Sequence, residues 1–293
     1  VEGDDLSYSA PRAPAESTAS HDFYGPERPI APVIISVPHA GRDYDPALLD
    51  GARVAPDVLR RLEDRWADLL AYPLIERDYH VLVARAPRAM IDLNRHEREI
   101  DPAMVTGLPR DASLQGSAKL RGGLGLIPRR LPGAYELWQR PVGWDEVRRR
   151  IDLIHRPYHA SLSRMMRAAR DAHSMPPLPP AAAGQAAPQV VLGDRFGRAA
   201  SARLMTLAAD VLTGHGLTVA QNHPYAGDHM IERHGNPAGD LYALQVEVDR
   251  SLYLDAALDR PGPGLPRLQA IIRALIDALS AESPRAAYPL AAE

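Results

Sequence analysis

Apolar positions along this chain fall into short dense runs and into longer stretches spaced three to four residues apart. The run APVIISVPH (31–39), bounded by prolines, predicts a buried strand. Over 55–78, Leu59, Leu62, Trp66 and Leu69 recur at helical spacing with Pro73 near the end, which predicts a helix. HVLVAR (80–85) and AMIDLN (89–94) read as two further strands separated by a proline-containing turn. A long helical pattern follows over 145–173, interrupted or kinked at Pro157. Beyond it come strands at 190–194, 217–222 and 241–249, with helical patterns at 200–214 and 268–279.

Strands alternating with helices predict an α/β protein: a single three-layer domain over 30–293, with a mixed, mostly parallel sheet flanked by helices. Residues 1–29 lack periodicity and read as a loosely ordered tail. The Gly-, Pro- and Arg-rich stretch 101–144 reads as a long excursion from the sheet, and 176–188 as a Pro/Ala loop.

Composition narrows the chemistry more than the fold. A net charge of -3 gives no electrostatic ground for nucleic-acid binding, and no apolar run reaches membrane-spanning length. With no cysteine, disulfides, thiolate metal sites and a cysteine nucleophile are excluded. Any metal would sit on His, Asp and Glu, a donor set that suits a catalytic zinc. The first residues, VEGDDLSYSAPRAPAEST, lack the basic and apolar blocks of a signal peptide, so the cytoplasm is the expected compartment. The oligomeric state is not legible.

In open α/β sheets ligands bind beyond the carboxyl ends of strands, where His39, Asp92, Asn94, Arg95, Asp194 and Asn222 all fall. Each also has a plain structural reading as a hydrogen-bonding or capping residue. Asn94-Arg95 reads either as a carboxylate clamp or as a surface pair with Asp92 or Glu97. Glu247 lies between Val246 and Val248 in an apolar strand. A carboxylate buried there must be ion-paired, for instance with Arg250, or be metal-linked or protonated.

The ordered motifs SVPHAG (36–41), EDRWAD (63–68), RAMIDLNR (88–95), HRPYH (155–159), DAHSMPP (171–177), GDRFG (193–197), NHPYAGD (222–228) and LQVEVDRSLYLD (244–255) resemble those of the N-formylglutamate amidohydrolases. The resemblance spans roughly residues 33–255. It implies a zinc-carboxypeptidase-like fold, shared with the aspartoacylase group. It also implies hydrolysis of N-formyl-L-glutamate to formate and glutamate, a step of histidine degradation. Carried over by motif, a single Zn2+ or other divalent ion would be held by His39, Asp64 and His173, with Glu247 as general base. Arg88, Asn94 and Arg95 would bind the substrate carboxylates, with Arg88 behind the other two, and His229 would stabilise the oxyanion.

The match departs from the family at two points. Asp64 lies off the apolar stripe of the 55–78 helix and reaches a site only near an end or break, so Glu63, at the stripe's edge, stands as an alternative ligand. Members of the family have an apolar strand between HRPYH and HSMPP, whereas here one helical pattern runs directly from one to the other and places His173 on its apolar stripe. Other expected outcomes are therefore an amidase acting on a different N-acyl amino acid or cell-wall peptide, or a non-catalytic carboxylate-binding relative.

Overall fold

A computed structural model of the chain describes residues 12–131, 136–172 and 188–282. The first sheet is built from β1 (Glu16–Ser17), β2 (His21–Tyr24), β3 (Ile34–Val37) and β4 (His80–Ala84), in the order β1-β2-β4-β3. β3 pairs with β4 in parallel, and the other two pairs are antiparallel. Between β3 and β4 run the short helices α1 (Pro46–Asp50), α2 (Pro56–Arg60) and α3 (Tyr72–Ile75). The excursion over 101–144 holds a small parallel pair, β5 (Val105–Thr106) with β6 (Val142–Gly143), and helix α4 (Ala118–Arg121). Helices α5 (Trp144–Arg150) and α6 (Arg156–Ala172) follow. A second sheet, in the order β8-β7-β9, contains β7 (Val190–Gly193), β8 (Val219–Gln221) and β9 (Gln245–Val248). Helices α7 (Ala202–Gly214), α8 (His229–His234) and α9 (Leu265–Ala281) accompany it.

The architecture is mixed α/β, as the periodicity predicts, but it is not mostly parallel. Among the described residues three strand pairs are parallel and three antiparallel. Part of the supposed loose tail belongs to the sheet. β2 pairs with β4 along its whole length, and the buried Ser20 donates from Oγ to the Ile154 carbonyl.

β3 uses its two faces for different layers. Ser36 meets Tyr158 of α6 at 2.9 Å and Ile34 joins the core beneath that helix, while Ile35 and Val37 pack in the cluster shared with α3 and α9. Its outer edge is another matter. The edges of β3 and β9 both line a cavity of about 400 Å3, closed on its sides by Leu162, Met166, Leu275 and Leu279. Every residue of both strands is accordingly only half-buried, although the sequence predicts a buried strand over 31–39.

Three elements differ from the periodicity. The 55–78 helix breaks after Arg60 and resumes as a 3-10 turn over Ala67–Ala71, with Trp66 in the left-handed region at φ 60°. Polar bonds impose the break: Asp64 N–H donates to the His39 carbonyl at 3.0 Å, and Trp66 Nε1 donates to the Asp259 carbonyl at 2.8 Å. AMIDLN is a turn, because the Asp92 carboxylate accepts from the Asn94 N–H at 2.9 Å and folds the chain on itself. Pro157 does not break the long helix. A π-turn over Ile151–His155 widens the preceding coil, and the Arg156 N–H donates to the Ile151 carbonyl. Among the described residues no helix is long and apolar enough to cross a membrane.

Candidate active site

The chain leaving β3 presents His39, buried, at one end of the cavity. Gly41 lets it pass close to the neighbouring segment: a Cβ there would lie 2.1 Å from the Ala86 carbonyl oxygen. The imidazole sits between two carboxylates. Its Nδ1 is 3.2 Å from Asp64 Oδ2 and its Nε2 is 2.9 Å from Asp92 Oδ1. Burial and Arg88 act to lower the His39 pKa, but Asp92 and Asp64 outweigh them and it lies above its ordinary value.

Asp92 is the hub of the cluster. It is fully buried, and besides His39 it accepts from Arg88 Nε at 2.9 Å and from the Asn94 N–H. Burial would raise its pKa; Arg88, His39 and Arg95 reverse this and hold it well below the usual carboxylate range. Asp64 stands in the helix break, its side chain 39 % exposed, and also accepts from Arg250 Nη2 at 3.3 Å. Burial opposes its ionisation, while the hydrogen bond and charge of His39 bring its pKa down to about 2.

Glu247, on β9, lines the same cavity. Burial pushes its pKa up and the Asp64 charge pushes it further, against His39, Gln245 and Arg88. It accepts a hydrogen bond from Gln245 Nε2 at 2.6 Å. The Arg250 partner considered from the sequence is turned elsewhere, toward Asp64 and the Glu63 carbonyl. Gln245 Oε1 in turn accepts from Asn94 Nδ2 at 3.5 Å, and Asn94 Oδ1 accepts from the Met230 N–H at 2.7 Å.

His39, Asp64, Asn94 and Glu247 thus line one cavity, and Arg88 is bound to Asp92 beside His39. Four other expectations fare differently. Glu63 is wholly buried, with its carboxylate bonded to Tyr44 at 2.6 Å and Arg65 at 3.1 Å, so Asp64 and not Glu63 faces His39. Arg95 is only 2 % exposed, with its guanidinium on the Leu124 and Asn94 carbonyls and on Asp228. Arg88, 18 % exposed, is the more open of the two arginines, the reverse of the expected order. His229 packs against His96, His155 and His159, a setting that gives no support to an oxyanion role. His173 lies outside the described residues.

Asp92, Gln245 and Asp228 are the participants that the sequence reading did not assign to the site. The available signals were Asp92 two positions before Asn94, and Gln245 sharing a strand face with Glu247. His39 Nδ1 and Asp64 Oδ2 could hold a cation. Two ligands at about 2.0–2.2 Å from a tetrahedral ion lie roughly 3.3–3.5 Å apart, close to their observed separation. The third member, Asp92 on the far nitrogen, is the carboxylate that commonly orients a ligating histidine.

An α/β frame presenting a carboxylate-backed histidine, a second carboxylate and a buried glutamate defines a hydrolase-type site. The model of the N-formylglutamate amidohydrolase family matches residues 31–254, and the chain belongs to that family. It is 28 % identical over 246 residues to the N-formylglutamate deformylase of Pseudomonas putida, covering 76 % of this chain and 82 % of the relative. The N-formylglutamate deformylase of Pseudomonas aeruginosa is 25 % identical over 271 residues, covering 85 % and 93 %. The crystal structure of N-formylglutamate amidohydrolase from Ralstonia eutropha JMP134 is similar with a TM-score of 0.79 at 32 % identity, over 89 % of this chain and 97 % of that one. The Agrobacterium tumefaciens gene product Atu2144 shares the fold at a TM-score of 0.59 and 16 % identity, over 89 % and 94 %.

Proposed function

We propose that this chain hydrolyses N-formyl-L-glutamate to formate and L-glutamate, in a zinc-carboxypeptidase-like three-layer frame of the kind α6 and α9 form around β3. The observation that carries the reading is the His39–Asp64 pair, backed by buried Asp92 and placed in one cavity with Glu247.

His39 and Asp64 are the ligand pair for a divalent ion, and His173 is the third ligand the family motif implies. The ion would polarise the formyl carbonyl and lower the pKa of water. Asp92 keeps His39 oriented through Nε2, leaving Nδ1 for the cavity side. Glu247 takes the proton of the attacking water and returns it to the glutamate nitrogen as the C–N bond breaks. Its raised pKa and half-buried setting suit a group that must both accept and release a proton. Arg88 and the fixed Asn94 amide are the groups placed to meet the substrate carboxylates, with Arg95 holding the loop behind them.

The test is formate release from N-formylglutamate, beside N-acetylglutamate and other N-formyl amino acids, with and without chelator. N-Formylglutamate should be the preferred substrate, chelation should abolish turnover, and added Zn2+ or Co2+ should restore it. Glu247→Gln should lose about 10²–10⁴-fold in kcat while still binding metal. No hydrolysis of N-formylglutamate with any divalent ion supplied would sink the reading.

A further inference from the structure

Against the carbonyls of the Asn94 loop lies a second concentration of imidazoles, hydrogen-bonded to neither His39 nor Asp64. His155 and His159 stand one turn apart at the start of the long helix, and His229 opens α8. All three are buried, and each offers a ring nitrogen within 4.8 Å of the others.

Their hydrogen bonds fix which nitrogens are free. His155 Nε2 lies 2.9 Å from the Arg95 carbonyl and His159 Nε2 lies 3.0 Å from the Leu93 carbonyl. A carbonyl only accepts, so both Nε2 atoms carry the proton and both Nδ1 atoms carry the lone pair. This carbonyl backing is the arrangement that orients ligating histidines. His155 Nδ1 and both nitrogens of His229 are buried with no partner among the described residues. Such orphans are rare, and three at one point call for an occupant. His159 Nδ1 is met by His234 Nε2 at 2.9 Å, a neutral donor that a cation can displace.

We propose that His155, His159 and His229 form a second divalent-cation site of the three-imidazole type, taking Zn2+, Co2+ or Ni2+. The donor set is the one these borderline ions favour over Mg2+ or Ca2+. Burial first, and the Arg233 charge after it, disfavour a second proton on His155 and His229. The ring nitrogens must draw together by up to about 1.5 Å to reach the ligand spacing of a tetrahedral ion. His229 can move, since no hydrogen bond holds its ring.

The location gives the ion a structural task. The Leu93 and Arg95 carbonyls flank Asn94, whose Oδ1 accepts from Met230 of α8. A cation joining the long helix to α8 would therefore clamp the Asn94–Arg95 loop from behind. It shares no ligand with the His39 pair, and the inference does not rest on the proposed reaction.

Titration of the metal-free full chain with Co2+ tests this, in a His39→Ala/Asp64→Ala background that removes the first pair. One equivalent should bind, with the visible absorption of a four-coordinate nitrogen-ligated cobalt. Adding His229→Ala should abolish it, and His229→Asp should restore binding with an altered spectrum. No binding in the first background, or binding indifferent to His229→Ala, overturns the proposal. Should the His229 variants fail to fold, paramagnetically shifted proton resonances in the first background decide. The large through-bond contact shifts of ligating rings should fall on His155, His159 and His229, with only smaller through-space shifts at their neighbours His96 and His234; contact shifts on other histidines alone overturn the site.

Discussion

At the scale of single residues, His39 is defined less by itself than by the two carboxylates on either side of it. Asp92 is fully buried and balanced by Arg88, Arg95 and the imidazole, so its charge is tied to several partners at once. Replacing one member leaves the others uncompensated. Arg95→Ala should cost about 3–5 kcal/mol, since it strips a buried partner from Asp92 and Asp228. Denaturant melts would register that as a loss of fold before any kinetic effect. Arg88→Ala should instead raise KM for N-formylglutamate far more than it lowers the melting temperature, because Arg88 is the arginine with an open side. Equal effects of the two variants on KM would remove the distinction. Glu247 adds a pH signature. In its proposed role as general base it must be ionised, and burial places its pKa above the ordinary 4.5, so the acid limb of kcat/KM should fall at a pH above that value. That His39, Asp64 and Glu247 line one cavity was legible from their distinctive residue types and motif contexts. Asp92 was visible as a strand-end acid, but its partner was not, since the 53 residues separating it from His39 are bridged only by the fold.

Among elements, the misread segments are those where side-chain bonds outbid periodicity. The Leu59–Leu69 spacing is helical, yet Asp64 and Trp66 have partners outside the segment and pull it open. AMIDLN has strand composition, yet one carboxylate bonding its own backbone makes it a turn. The opposite case is Pro157, where a π-turn preserves the helix the proline threatened. The pairing of α6 with α8 carries its own pH dependence in chelator, where no cation occupies the histidines. His155 and His234 have folded pKa values of about 4 and His229 of about 3, against 6.5 unfolded. Below pH 6.5 the unfolded chain binds protons that the folded chain refuses. The stability these groups contribute is therefore full above 6.5 and is lost as the pH falls from there toward 4. The melting temperature should drop steeply across that window, and a flat profile would show that the cluster is not buried neutral.

On the scale of the whole molecule, the α/β alternation was legible from end to end, while the sheet order was not, because antiparallel partners such as β2 carry no helical crossover to announce them. The division into two sheets did have a sign in the sequence, the direct passage from HRPYH to HSMPP. The geometry explains what that passage costs. Helix α6 starts beside the site, with Tyr158 on Ser36, and Ala172 lies fourteen residues further on, about 21 Å at 1.5 Å per residue. A returning strand at about 3.3 Å per residue needs six or seven residues to cover that distance, but a single peptide bond joins Ala172 to His173. The cavity between the edges of β3 and β9 has the place such a strand would take: backbone on two sides, and apolar side chains of α6 and α9 on the other two. Inserting about seven Val- and Ile-rich residues between Ala172 and His173 should therefore join the two sheets. The variant should melt at a higher temperature than the chain as it stands, bind less of a hydrophobic dye, and hold Zn2+ more tightly if the strand brings His173 to the His39–Asp64 pair. An insertion that lowers the melting temperature and leaves dye binding unchanged would mean the two edges are not the halves of one sheet.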